Sequence, residues 1–179
     1  MMAVSFVRTL ILLRHGKSSW TADTNDSDRP LASRGRLDAH NAGRSIKRHR
    51  LNPDLVVCSP TQRSKDTWEC VADAGLEPQA VAYSTSVEHG PASELARDLV
   101  STPGMVRCLM MVGHTPTMRD LIDQLARPDG DNPAWRKLGD RFPTGAFAVL
   151  TFDGGWEEWV GPTGRLALFE APGRAAVTG

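Results

Sequence analysis

Much that would place a chain quickly is missing here. There is no net formal charge, with 21 Lys and Arg against 21 Asp and Glu. A broad electrostatic footprint for nucleic acid is therefore not indicated. Cysteine is scarce: Cys58, Cys70 and Cys108 form no CxxC pair, and their number is odd. That argues against a disulfide framework, and the spacing does not suit a metal site. No run is long and apolar enough to span a bilayer. The apolar run near the N-terminus is too short for a signal peptide and leads at once into Arg14. These absences together raise the expectation of a cytoplasmic protein in a reducing compartment, with no membrane, nucleic acid, metal or cofactor among its partners. The cations are mostly arginine, 17 of 21. That bias suits anion binding, but it equally suits plain composition.

What is present is a repeated local pattern. Leu10-Ile-Leu-Leu13 runs into Arg14-His15-Gly16-Lys17-Ser18. A short apolar run of this kind reads as a buried strand of an α/β sheet. Leu109-Met-Met-Val112 runs in the same way into Gly113-His114-Thr115-Pro116, and Asp54-Leu-Val-Val-Cys58 into Ser59-Pro60-Thr61-Gln62-Arg63. Ligand sites in open α/β sheets lie beyond the carboxyl ends of strands. Three such ends deliver His15 with Arg14, His114, and Arg63. Two imidazoles and two guanidiniums with no carboxylate among them suggest a phosphoryl ligand. Arginine grips phosphate oxygens bidentately, and imidazole can attack phosphorus. Gly16, Lys17, Ser18 and Thr115 flank the histidines and are the candidate substrate contacts. For Lys17 and Ser18 a solvated loop position is the equal alternative. Arg-His-Gly alone is a weak three-residue match; the second histidine and the helix-opening arginine give the set its weight.

The elements between follow in order. Gly16 to Arg29 is a polar loop expected to cover or border the site. Ser33 is expected to cap a helix to about Arg48, with Leu37, Ala42 and Ile46 inward. A second helix starts near Pro60, with Ser64, Thr67, Trp68, Val71 and Ala72 on one face and Arg63 in its first turn. Residues 80–83 read as a strand and 84–91 as a loop holding Glu88 and His89. A helix over 93–101 turns Leu95 and Leu99 inward. A helix over 116–127 has the clearest stripe: Met118, Leu121, Ile122, Leu125 and Ala126. Residues 127–143 read as an excursion rich in Pro, Gly and Asp. A strand over 146–152 meets a turn at Asp153-Gly-Gly155, with 156–160 as its hairpin partner and 165–169 as a last strand. The expected fold is a three-layer α/β/α domain over 1–170. Its sheet is mostly parallel with at least one antiparallel strand, and 171–179 forms a loose tail. His40, His49, Arg34 and Arg36 read as surface or structural, and Trp156 and Trp159 as packing on the sheet.

These motifs resemble the histidine phosphatase, or phosphoglycerate mutase-like, superfamily. The resemblance rests on Arg14-His15-Gly16, on Cys58-Ser-Pro-Thr-Gln-Arg63 and on Gly113-His114-Thr115-Pro116. Within it, Arg14-His-Gly-Lys-Ser-Ser-Trp20, Asp28-Arg-Pro-Leu-Ala-Ser-Arg-Gly-Arg-Leu-Asp-Ala39 and Pro143-Thr-Gly-Ala146 are similar to the small SixA-type phosphohistidine phosphatases. The resemblance covers about residues 9 to 152; the excursion and the tail stand outside it. It implies a phosphoglycerate mutase-like fold and a phosphatase working through a phosphohistidine on His15. Arg14, Arg63 and His114 would hold the phosphoryl oxygens, and no metal or cofactor would be required. The substrate would be a phosphohistidine protein or a small phosphomonoester. A mutase is an alternative, although a short chain has little to build a water-excluding lid. A non-catalytic phosphoprotein-binding module is another, and an intact His15 speaks against it. Many superfamily members carry a carboxylic acid after the third strand. Glu88 is the candidate for that acid, with a solvated bystander as the preferred reading. Phosphohistidine is therefore expected to be the better substrate.

Overall fold

The structure is a computed structural model, and it describes residues 6–20 and 23–173. In chain order the elements are β1 (Val7–Arg14), α1 (Ser33–Arg48), β2 (Leu55–Cys58), α2 (Gln62–Ala72), β3 (Ala80–Tyr83), α3 (Ser86–His89), α4 (Ala92–Val100), β4 (Cys108–Gly113), α5 (Thr117–Leu125), α6 (Pro133–Leu138), β5 (Phe147–Asp153) and β6 (Arg165–Glu170). Two 3-10 turns, Asp26–Asp28 and Trp156–Glu158, complete the described set. The strands form one sheet in the order β3-β2-β4-β1-β5-β6. The first four of these pair in parallel. β5 is antiparallel to both β1 and β6, so it alone runs against the rest. The fold is the three-layer α/β/α arrangement expected.

β1 lies at the centre because both of its faces are apolar. Leu10 to Leu13 are all fully buried, each contributing roughly 1.5–3 kcal/mol relative to exposure. Leu10 and Leu12 join a cluster with α4, α5, α6 and the Trp156–Trp159 segment. Ile11 and Leu13 join a second cluster with α1 and α2 on the opposite face. Helices therefore cover both sides, as a mostly parallel sheet requires.

α1 departs from expectation. Leu37 is 56% exposed, while the buried face is built from Gly35, Ala39, Ala42, Gly43, Ser45 and Ile46. Small residues allow α1 to approach α2 closely. A methyl group on Gly43 would lie 2.5 Å from the Val71 carbonyl oxygen. Ser33 is inside the helix rather than its cap. Ala32 holds the capping position, with its N–H donating to the Lys17 carbonyl at 2.9 Å. α2 begins at Gln62, two residues beyond Pro60, with Ser64, Thr67, Trp68 and Val71 buried together with Asp66.

Three other expectations change. The 84–91 loop contains the helical turn α3. The 127–143 excursion contains α6, capped by Asn132, whose Oδ1 accepts the Ala134 N–H at 2.8 Å. Residues 156–160 do not pair with β5; the partner is β6. Trp156 and Trp159 are buried, and their indole N–H groups donate to the Val106 and Leu125 carbonyls at 2.6 and 3.0 Å. Three residues apart, they would face opposite sides of a strand but share one side of a helical turn. Of the expected tail, Ala171 to Gly173 are described, and Arg34 donates to the Gly173 carbonyl at 2.8 Å. Residues 174–179 lie outside the described residues. Among the described residues no helix is long and apolar enough to cross a membrane.

Candidate active site

Register brings the two histidines together. β1 and β4 are parallel neighbours, with Arg14 opposite Gly113. The next residue on each strand is a histidine. The His15 amide donates to the Gly113 carbonyl at 3.0 Å, and the two imidazole centroids lie 4.9 Å apart. On the other side of β4, β2 ends with Cys58 opposite Val112, and the Ser59 amide donates to the Val112 carbonyl at 2.9 Å. The chain then turns into α2, which places Arg63 in its first turn.

Each side chain is held by specific partners. His15 Nδ1 lies 2.8 Å from the Gly16 carbonyl oxygen. A carbonyl can only accept, so Nδ1 carries the hydrogen and Nε2 keeps its lone pair. The Gly16 peptide is fixed in turn, because its N–H donates to Thr67 Oγ1 at 3.0 Å and Thr67 donates to the Arg63 carbonyl at 2.6 Å. Glycine is needed here by close approach. A methyl group on Gly16 would lie 2.7 Å from the Gly35 carbonyl oxygen on α1. Arg14 donates to the Phe142 carbonyl at 2.8 Å, and its backbone pairs with Ala146 and Gly145. The Pro143–Ala146 segment therefore wraps the first arginine.

These groups border a cavity of about 520 Å³. Arg14, His15, Lys17, Ser18, Arg63, Glu88, His114 and Thr115 all line it. Gly16 does not line it; its N–H and carbonyl serve Thr67 and His15 instead. Trp20, Asp26, Arg29, His89 and Thr144 are additional lining residues. A larger hollow of about 730 Å³ lies between α1 and residues 170–173, but it contains neither histidine of the strand ends.

The set is not free of carboxylate, contrary to the expectation from sequence. Asp26 accepts from Arg63 at 3.1 Å through Oδ2 and from Arg29 at 2.9 Å through Oδ1. The Asp26 carbonyl accepts a second Arg63 bond at 2.5 Å. Arg29 also donates to Ser18 Oγ at 2.6 Å and stacks its guanidinium 3.6 Å from the Trp20 ring centroid. Trp20 is otherwise 83% exposed. Glu88 is not a solvated loop residue: its side chain is 13% exposed, and Oε1 is 3.1 Å from His89 Nε2.

Burial and neighbouring cations keep both imidazoles neutral. The His15 pKa is lowered to about 4, chiefly by burial. The Gly16 hydrogen bond opposes that shift, and the charges of Arg63, Arg14 and Arg29 add to it. The His114 pKa is lowered to about 3 by burial, then by His15 and Arg63, with Asp26 opposing. Burial also lowers Arg14 from its ordinary value. The hydrogen bond from Arg29 is the main cause holding the Asp26 carboxyl below the usual range, and Arg63 adds to it. Cys58 and Cys108 are buried thiols pushed up to about 12, so neither is a nucleophile at neutral pH. Among the described residues no group of three or more His, Cys, Asp or Glu is placed to hold a metal ion.

A family model described as the histidine phosphatase superfamily (branch 1) matches residues 10–83. The uncharacterized protein Rv1276c of Mycobacterium tuberculosis is 30% identical over 161 residues, covering 89% of this chain and 99% of that one. The chain belongs to the histidine phosphatase superfamily. Two solved structures extend the likeness of this superfamily member over nearly its whole length. A candidate phosphohistidine phosphatase SixA from Nakamurella multipartitia aligns with a TM-score of 0.81 and 29% identity, covering 93% of this chain and 96% of that one. A second, from Agrobacterium tumefaciens, aligns with a TM-score of 0.73 and 27% identity, covering 92% and 99%.

Asp26, Arg29 and Trp20 were not singled out as site residues from sequence. Their loop borders the cavity, as expected for Gly16 to Arg29, but neither periodicity nor spacing singles out these three residues within it. Trp20 and Arg29 do lie in the two SixA-like segments, which was the available signal.

Proposed function

We propose that this chain is a phosphohistidine phosphatase that acts through a phosphoryl group carried on His15. The observation that carries the reading is the His15 imidazole. Its Nδ1 hydrogen is committed to the Gly16 carbonyl, so the lone pair of Nε2 is left for a cavity lined by Arg14, Arg63 and His114. With its pKa lowered to about 4, His15 is unprotonated at neutral pH and ready to attack. In the first step Nε2 forms a bond to phosphorus as the bond from phosphorus to the substrate nitrogen breaks. The substrate imidazole leaves neutral, keeping the proton on its other nitrogen. In the second step water attacks, the P–Nε2 bond breaks, phosphate departs and His15 regains its lone pair. Arg14 and Arg63 stabilise the charge that spreads over the equatorial oxygens. SixA-named structural neighbours support the phosphohistidine reading.

Glu88 favours a second reading, a small phosphomonoesterase. It lines the same cavity and is largely enclosed. An alkoxide leaving group needs a proton in the transition state, and a placed acid contributes roughly 10²–10⁴-fold. A departing imidazole needs little such help. The test is hydrolysis of a phosphohistidine protein and of an alkyl phosphate by the wild type and by Glu88→Gln. The phosphohistidine reading expects fast turnover of the protein substrate, slow turnover of the alkyl phosphate and little effect of the substitution. Fast alkyl phosphate hydrolysis that collapses in Glu88→Gln would establish the second reading instead.

A further inference from the structure

The loop from β2 into α2 carries a row of buried hydroxyls that the reaction above does not use. Ser59, Thr61 and Ser64 are sealed from solvent. His114 Nε2 lies 2.8 Å from Ser59 Oγ. Ser59 Oγ lies 3.2 Å from Thr61 Oγ1, and Thr61 Oγ1 donates to Ser64 Oγ at 3.0 Å. The Thr61 amide also donates to Ser59 Oγ, at 3.4 Å.

The direction of this chain decides the tautomer of His114. A hydroxyl has one hydrogen and two lone pairs. The Thr61 hydrogen is on the bond to Ser64. The contact between Ser59 and Thr61 must then carry the Ser59 hydrogen. Ser59 has no hydrogen left for His114, so it accepts there, and the shared hydrogen sits on His114 Nε2. Ser59 is thereby filled, donating once and accepting from His114 and the Thr61 amide. A neutral imidazole has a single N–H, so Nδ1 is bare. His114 lines the cavity, and Nδ1 has no protein partner among the described residues. A bare lone pair facing the oxygens of a phosphoryl group repels them unless a proton lies between.

We propose that Ser59, through Thr61 and Ser64, fixes His114 as the Nε2–H tautomer, so that His114 binds a phosphoryl group only together with a proton taken onto Nδ1. Ser59 is a positioning residue in this scheme, acting through His114. The ligand half of the proposal rests on the phosphoryl reading of the cavity; the tautomer half does not. The groups facing His114 are His15, Arg63, Asp26 and His89. Without an anion, burial together with His15 and Arg63 keeps the ring neutral. A bound oxyanion reverses that balance at short range, and solvent supplies one proton, which leaves again with the phosphate. The same logic separates the two imidazoles. Both present a bare nitrogen, but attack requires one of them to keep its lone pair. His15 keeps it, and His114 takes the proton.

Nitrogen-15 NMR of histidine-labelled full-length protein at neutral pH tests this, with His114 assigned from its absence in His114→Asn. Sulfate is the probe, because it stays dianionic near pH 7 and brings no proton of its own. The free protein should show His114 as the Nε2–H tautomer, and the sulfate-saturated protein should show it as imidazolium. Thr61→Val keeps the side-chain shape but removes the acceptor for the Ser59 hydrogen. That hydrogen should turn to His114 Nε2 and shift the free ring to Nδ1–H. Ser59→Ala provides a second variant and should release the tautomer preference. An Nδ1–H ring in free wild type, an unchanged tautomer in both variants, or a neutral His114 with sulfate bound would overturn the proposal. Sulfate that does not bind at all would overturn the phosphoryl reading instead and leave the tautomer result to stand or fall by itself.

Discussion

His15 and His114 stand side by side at the ends of neighbouring strands, yet the fold holds them by opposite means. The β1 end grips its imidazole with a backbone carbonyl, 2.8 Å from Nδ1. The β4 end uses a side-chain hydroxyl, 2.8 Å from Nε2. A carbonyl can only accept, and no substitution deletes it. The state of His15 is therefore built into the main chain. A hydroxyl can donate or accept, so the state of His114 depends on which way a chain of side chains points. Under the proposed roles, the nucleophile has the first kind of support and the group that changes its proton count has the second.

The sharpest way to break this pairing is to remove each ring. Under the proposed reaction His15→Ala abolishes turnover, and rapid quenching with labelled substrate yields no acid-labile adduct. His114→Ala should keep the adduct while slowing its formation, by roughly 10²–10³-fold, the scale of a lost charge-stabilising donor. Equal and total loss in both variants, with no adduct in either, would erase the distinction.

The arginines offer the next contrast. Arg14 is tied to the Phe142 carbonyl, whereas Arg63 is tied to the Asp26 carboxylate. Arg63→Lys and Arg14→Lys should each lower kcat by about a hundredfold, because the bidentate fork is lost. Normal turnover with lysine at either position would show that the guanidinium is not gripping the phosphoryl group.

A third expectation concerns acid stability. Both rings are held neutral by the fold, at about 4 for His15 and about 3 for His114. Unfolded histidine takes its proton near pH 6.5, roughly its model value. Below that value the unfolded chain binds more protons than the folded one, so stability falls as pH drops. The loss should begin near pH 6.5 and end as each ring passes its folded pKa. Thermal melts between pH 7 and 4 should show the decline, and His114→Asn should make it shallower. A melting temperature that is flat across this window in the wild type would contradict the neutral, buried rings.

The smallest effect is expected on the His15 side. Thr67 does not touch the imidazole; it holds the Gly16 peptide whose carbonyl does. Thr67→Val should cost a few-fold in kcat, because the carbonyl stays in the chain and only its bracing is lost. A loss as large as that of an arginine would mean that the backbone grip is weaker than the geometry implies.

The parts of the fold legible in the sequence are those with an unambiguous pattern. β1 and β4, whose centres are buried on both faces, read as unbroken apolar runs, and so does β2 although one of its faces is half-buried; the groups at all three ends are readable with them. The α5 stripe was equally plain, and all five of its predicted apolar positions are buried. α1 has the bounds expected, and Ala42 and Ile46 are buried as expected, but the rest of its buried face is glycine, alanine and serine, which periodicity of large apolar residues cannot register. Leu37 attracted the assignment and points outward. The Trp156–Trp159 segment was misread although its three-residue spacing favours a helical turn over a strand. α6 carried a signal in Asn132-Pro133, a cap followed by a first-turn proline, but the surrounding Gly and Asp obscured it. At the site, the strand-end residues are readable, and so is the Gly16–Arg29 loop as a border of the cavity; the pairing of Asp26 with Arg63 is not. Arg63 lies 37 positions away from Asp26 in the chain.

The Trp20–Arg29 stack has an optical consequence. Of the five tryptophans, Trp68, Trp156 and Trp159 are buried and Trp135 is partly covered, while Trp20 stands 83% exposed at the rim of the cavity. Its emission therefore dominates the fraction of fluorescence that a water-borne quencher such as acrylamide can reach. One ring face already lies against the Arg29 guanidinium, which is bonded to Asp26 and Ser18 beside the cavity. Any ligand that rearranges those contacts changes the surroundings of the most accessible indole in the molecule. Such a change would be readable without a label and separable, by quencher access, from the shielded signal of the core.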